Sequence, residues 1–192
     1  RDGDLEIMDV GSKKTSRLSI TVPDDGINKR TRQVSTAGRI SSYGLSPKGE
    51  RAVFSARGDI YTAPIEKGGT RNLTRSSDAN DRFPSWSPDG RNIAYISDKS
   101  GEDEVWIAAQ DGSTPPERLS TTTPGQKTGP TWSGDSKKIA FGDKDGKVYV
   151  LTVATKQVQQ IADAPNGGIQ DYDWSPKGGY LAYSMQNRNG MS

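Results

Sequence analysis

A chain of 192 residues can bury a sizeable core, yet only 30% of it is hydrophobic, and its 22 glycines and 11 prolines are too many turn formers for a helical bundle. Twenty-six basic against 24 acidic side chains leave a net charge of +2, and the only basic cluster, Lys29, Arg30 and Arg32, sits in a polar stretch, which gives nucleic-acid binding little support. The lack of histidine removes the Ser-His-acid triad and imidazole metal ligands, and the lack of cysteine removes disulfides and thiolate metal sites.

The opening "RDGDLEIMDV" carries charges where a signal peptide needs an apolar core, and no apolar run is long enough to span a membrane. The protein therefore reads as soluble, with the compartment open. Within residues 1–20, "DLEIMDV" (4–10) and "KTSRLSI" (14–20) read as two strands that close a preceding unit. A polar segment, 21–38, follows and looks like a domain junction.

From residue 39 onward a unit repeats. Ser46-Pro47-Lys48-Gly49, Ser87-Pro88-Asp89-Gly90, Ser133-Gly134-Asp135-Ser136 and Ser175-Pro176-Lys177-Gly178 occupy equivalent places, their serines 41, 46 and 42 residues apart. Leu45, Trp86, Trp132 and Trp174 precede the four turns. "AVF", "IAY", "IAF" and "LAY" follow them, so that Phe54, Tyr95, Phe141 and Tyr183 keep the same spacing. Proline presets φ for a type I turn and glycine takes the left-handed conformation, so each turn is expected to close a hairpin through a G1 bulge. The third copy has glycine for proline and serine for glycine, which leaves its geometry open.

Beyond each hairpin lie a third strand, "DIYTAPI" (59–65), "EVWIAAQ" (104–110) and "KVYVLTV" (147–153), and a more polar fourth, "TRNLT" (70–74), "PERLS" (116–120) and "VQQIA" (158–162). The connections between second and third strands are read as tight, with Asp145-Gly146 a favoured I′ pair. The units fall at about 39–75, 80–121, 127–163 and a partial 168–192 ending on "YLAYSMQ" (180–186). The expected strand count is two, four, four, four and two, sixteen in all.

A period of about 40 to 45 residues is what a four-stranded propeller blade and its turns consume. Strands such as "IAY" and "VYV" are apolar enough to need cover on both faces, which stacking like blades supplies. The fold is therefore all-β: a β-propeller of four-stranded antiparallel blades, about four blade equivalents in all, with the tryptophans and aromatics packing between blades. Either the terminal strand pairs make one composite blade and close a four-bladed ring, or the sequence is an excerpt of a larger propeller region, which the mid-blade ends favour. Unpaired edges would also invite self-association.

With "WSPDGRNIAYISD" and "EVWIAAQDG", the repeat resembles the propellers of TolB, of prolyl-oligopeptidase-type peptidases and of tricorn proteases. The run from Leu45-Ser46-Pro47 through Arg71-Asn72-Leu73-Thr74 is similar to the start of the second propeller of tricorn-like serine peptidases, and "GDLEIMDV" followed by "ITVPDD" looks like the passage into it from the first. The resemblance implies a polypeptide of two propellers, a PDZ domain and a serine-peptidase core. The propellers would guide or gate peptides toward a catalytic domain that lies outside these residues. The rival reading is a TolB-like propeller that docks a protein partner. Members of the wider family occur both in the cytoplasm and beyond the bacterial inner membrane.

The residues themselves supply no catalytic set. No serine lies in a G-x-S-x-G or S-x-x-K setting, and no cofactor or metal is expected. "SDKSGEDE" (97–104) gathers Asp98, Glu102, Asp103 and Glu104 without EF-hand spacing and reads as a solvated hairpin loop. Arg57-Gly58-Asp59 spells an adhesion tripeptide but falls between two strands, where glycine serves a tight turn and the aspartate begins the next strand. Arg39, Arg82 and Asp171, just ahead of the first strands, are the remaining candidates: charges at a channel mouth that would select peptide ends by sign.

Overall fold

The computed structural model describes residues 6–19, 38–122, 124–164 and 169–185. The expected 21–38 connection lies outside them except for Gly38, as do the first residues and the last seven. The protein forms two compact units, Arg1–Ser35 and Thr36–Ser192. In the first, β1 (Glu6–Met8) and β2 (Thr15–Arg17) make an antiparallel pair.

The second unit holds three four-stranded sheets and a pair, each an antiparallel meander in sequence order. The first sheet is β3 (Ile40–Leu45), β4 (Arg51–Ala56), β5 (Asp59–Pro64) and β6 (Arg71–Asn72). The second is β7 (Arg82–Trp86), β8 (Asn92–Ser97), β9 (Glu104–Ala109) and β10 (Glu117–Arg118). The third is β11 (Thr131–Trp132), β12 (Lys138–Gly142), β13 (Lys147–Thr152) and β14 (Gln157–Asp163), and the fourth pairs β15 (Ile169–Trp174) with β16 (Leu181–Met185). The sixteen strands fall where the repeat puts them, and no described residue is helical. The first strands stand side by side, β3 against β7, β7 against β11 and β11 against β15.

Period-two alternation explains why the inner strands of the middle blades carry apolar residues on both faces. Along β8, Ile93 and Tyr95 join Val53, Ile60 and Leu73 of the first sheet in one core, while Ala94 and Ile96 join Ile139, Phe141 and Leu151 of the third in another. Strand β9 alternates likewise, with Val105 in the second core and Ala108 in the first. A strand buried on both faces carries apolar residues on both of them. Of the repeated aromatics, Tyr95 and Phe141 pack against a neighbouring blade, and two stack on the third strand of their own sheet: Phe54 on Tyr61 at 5.6 Å and Phe141 on Tyr149 at 5.2 Å between ring centroids.

The four repeated turns share one geometry, one residue wider than a three-residue G1-bulge loop. The closing backbone bond runs from each serine to the residue five places on, Ser46 N to Arg51 O at 2.8 Å, Ser87 N to Asn92 O at 2.9 Å, Ser133 N to Lys138 O at 2.9 Å and Ser175 N to Tyr180 O at 2.8 Å. Widening the loop deprives the amide of that fifth residue of a backbone acceptor. The serine hydroxyl accepts it instead, at 3.0, 2.9, 2.9 and 3.1 Å in the four copies. Gly49, Gly90 and Gly178 are left-handed as expected, and in the third copy Ser136 takes the same conformation at φ 60°.

The connections between second and third strands are not alike. Arg57 and Gly58 both have positive φ, 58° and 85°, and make the two-residue I′ turn. Asp145 does not, so the expected I′ pair at Asp145-Gly146 is instead the tail of a three-residue loop with Gly146 left-handed and Asp143 N bonded to Lys147 O at 3.0 Å. This loop has the spacing of the G1-bulge hairpin. The second blade uses six residues, 98–103.

Candidate functional site

Arg39, Arg82 and Asp171 all lie toward the starting end of the side-by-side first strands: Arg39 precedes β3, Arg82 opens β7 and Asp171 is third in β15. Among the described residues no hydrogen bond or ion pair joins any two of them. Arg39 and Asp171 are exposed. Arg82 is not a free charge: its Nη2 is ion-paired with Asp103, its Nη1 donates to Asn80 O at 3.3 Å, and its guanidinium lies 5.9 Å from the centroid of the Phe83 ring.

The acidic loop differs from expectation. Asp103 and Glu104 are only 8% and 3% exposed, so the loop is not simply solvated. Asp103 holds Arg82 and accepts the Lys127 amide at 3.1 Å, tying its blade to the connection into the third. Glu104 accepts from the Ser120 hydroxyl and from Thr122 N at 2.7 Å, Glu102 from Gly125 N at 3.1 Å and Asp98 from Asn80 N at 2.7 Å. Buried carboxylates persist where such donors surround them. Asp59 of the Arg-Gly-Asp run plays the part of Glu104 in the first blade. It takes bonds from Thr74 Oγ1 at 3.2 Å and Ser76 N at 2.9 Å, while Thr74 and Ser120 receive the Ile60 and Val105 amides at 3.1 and 2.8 Å. An acid at the start of the third strand paired with a hydroxyl after the fourth is a second repeat, visible in "DIY" with "NLT" and "EVW" with "RLS" once the contact is known.

At the other end of the first strands lie the Ser-Pro-x-Gly turns. Between the first and second sheets the turns leave a cavity of about 410 Å³, lined by Lys48, Arg51, Arg71, Trp86, Asp89 and Gln110 among others. The Arg51 Nη2 donates to Thr62 O at 3.1 Å, to Thr62 Oγ1 at 3.0 Å and to Gly69 O at 3.3 Å. Burial, and after it the charge of Arg71, pull the Arg51 guanidinium below its ordinary pKa. Burial works against ionisation of Asp89, but the Ser87 hydroxyl at 2.6 Å and the Arg91 amide at 3.1 Å outweigh it and hold that carboxyl below the usual range. Nothing in the sequence marks this cleft, because its walls come from residues up to about 60 places apart.

The family model described as the tricorn protease second beta propeller domain matches residues 40–192. Among curated proteins, an uncharacterised protein of Agrobacterium fabrum is 30% identical over 73% of this chain and 53% of its own length. A protein of Streptomyces coelicolor named as a tricorn protease homolog is 24% identical over 88% of this chain and 16% of its own. The protein thus spans about half of one relative and less of the other. Among solved structures, the tricorn protease superposes on 95% of this chain with a TM-score of 0.69 at 15% identity, using 17% of its own length. TolB from Acinetobacter baumannii superposes on 94% with a TM-score of 0.61 at 19% identity, using 42% of its own. At such identities these likenesses speak to the fold alone. Matched over four-fifths of its length by the family model, with the blade repeat and sheet order that the fold requires, the chain belongs to the tricorn protease second β-propeller domain family.

Proposed function

We propose that this protein is a non-catalytic propeller segment of a tricorn-like serine peptidase, which guides or gates peptides for a catalytic core carried elsewhere in the same polypeptide. The family match over residues 40–192 is the observation that carries the reading. The chemistry of the blades agrees with it: the repeated serines, the natural suspects for a nucleophile, spend their hydroxyls on loop amides in all four copies. A gate works by width and charge and needs no activated group. In this reading Arg39 and Asp171, exposed near the starting end of the first strands, supply the charges that peptide ends meet, and Arg82 shapes the rim through Asp103.

The outer faces of the blade array support a larger propeller. Leu45, in the place of the tryptophans, is 63% exposed, and Tyr43 on the same face of β3 is 83% exposed. Further blades packed there would bury them as the middle blades bury their equivalents.

The test is the gene beyond codon 192 together with a peptidase assay. A PDZ region and a peptidase core in frame, with no hydrolysis by residues 1–192 alone, is the expected result. A stop soon after the remaining blades would overturn it in favour of a TolB-like docking propeller, and hydrolysis by residues 1–192 that one serine substitution abolishes would overturn its non-catalytic part.

A further inference from the structure

The three junctions between consecutive blades are built on one plan, and the first departs from it. At the second junction Trp132 Nε1 donates to Ser85 O at 3.1 Å, and at the third Trp174 Nε1 donates to Thr131 O at 3.0 Å, each reaching the residue before the preceding blade's tryptophan. By the same rule Trp86 should reach Gly44 O. It does not: its buried Nε1 has no partner, and the buried Nε of Arg51 has none either. Both residues line the cavity of the first junction. A buried donor without an acceptor is costly, so two in residues beside one cavity need a reason.

The walls say what kind of group would supply it. Lys48, Arg51 and Arg71 face Glu50 and Asp89, an excess of one positive charge, and the Asp89 carboxylate is already engaged by its own turn. Neither arginine has an ion-pair partner among the described residues. The bonds from Arg51 to Thr62 and Gly69 fix its guanidinium in place, so that little conformational freedom is lost when an acceptor arrives. Donors without acceptors call for an oxyanion, and an excess of a single charge matches a monoanion better than a phosphate dianion.

We propose that the cleft between the first two blades, walled by Lys48, Arg51, Arg71 and Trp86, binds a peptide carboxylate, either a free C-terminus or an acidic side group. The guanidinium groups meet its oxygens, and the indole turns so that Trp86 Nε1 donates to one of them. The site lies at the end of the first strands opposite Arg39 and Arg82. It rests on the cleft's own chemistry and survives if no peptidase core follows the gene.

The experiment is an indole ¹⁵N–¹H titration of residues 1–192, with the Trp86 resonance assigned through W86F. Four probes are added in turn: a neutral peptide with a free C-terminus, the same peptide amidated, the amidated peptide carrying one glutamate, and inorganic phosphate. The expected result is a saturable Trp86 shift with the first or third probe or both, which also tells the two carboxylate sources apart, while Trp132 and Trp174 stay still. R71Q, at an exposed position, should weaken that binding at least tenfold. The Trp132 resonance reports whether R71Q is folded, and K48Q, expected to weaken binding severalfold, replaces it if not. The proposal is overturned if no probe shifts Trp86 saturably, if the amidated neutral peptide does so equally well, if phosphate alone does, or if the charge variant binds as tightly as the parent.

Discussion

The first and second blade junctions use homologous residues and end in different states. At the second, Trp132 is bonded to Ser85 O, and the Asp89 amide donates to Ser136 Oγ at 3.0 Å, so turn is fastened to turn across 47 residues of sequence. At the first, Trp86 has no acceptor, no hydrogen bond joins the two turns among the described residues, a Cβ placed on Gly90 would come no nearer than 3.8 Å to Pro47, and a cavity remains. A repeat thus provides equivalent positions, and the residues at the turns decide which junction is sealed and which stays open for a ligand.

The widest contrast lies at the third junction, the tightest of all. A Cβ on Gly134 would sit 2.0 Å from the carbonyl oxygen of Pro176, whereas one on Gly179 would meet nothing within 4 Å. G134A is therefore expected to cost about 3 kcal/mol in urea unfolding, with G179A within about 1 kcal/mol of the parent. Equal stabilities would mean that the third junction is as loose as the first.

Next in size is the tryptophan pair. W132F and W86F remove the same atoms, so their difference isolates the indole bond. W132F should cost about 1 kcal/mol more, because it breaks the bond to Ser85 O while W86F deletes a donor that had no partner. If the two cost the same in the absence of ligand, the distinction between the junctions fails.

The smallest effect is a pH dependence at the repeated turns that carry an aspartate. The Ser133 hydroxyl and then the Lys137 amide hold the Asp135 carboxyl below its ordinary range. A folded-state pKa below the unfolded one contributes stability above the unfolded value, near 4, and that contribution is lost as pH falls through the folded one. The urea midpoint should therefore drop in acid, and D135N should flatten the drop. An unchanged profile in D135N would assign the acid response to other carboxylates.

Much of this was legible from residue order. The serine-tryptophan-aromatic spacing located all four turns, and alternation such as "NIAYIS" located strands needing cover on both faces. What residue order misjudges depends on distant partners. The third turn, Ser133-Gly134-Asp135-Ser136, looks degenerate, yet both departures answer neighbours: Gly134 makes room for Pro176, and Ser136, strained by about 1 kcal/mol in the left-handed region, offers its hydroxyl to Asp89. Asp103 and Glu104 look solvated in a run of charges, and are buried because Arg82, Ser120 and backbone amides reach them from other strands. Arg82, whose expected role is a mouth charge, has an ion-pair partner in Asp103 that residue order does not show.

By itself, then, the sequence determined the blade: its period, its strands, the places of its repeated turns and its family, since all of these are set by residues a few places apart and repeated in phase. Only the tertiary structure decided how blade meets blade. Whether an indole finds a carbonyl, a glycine a neighbour's backbone or an arginine an empty cleft depends on atoms brought together from forty or more residues away, where the repeat fixes the positions but not the side groups that fill them.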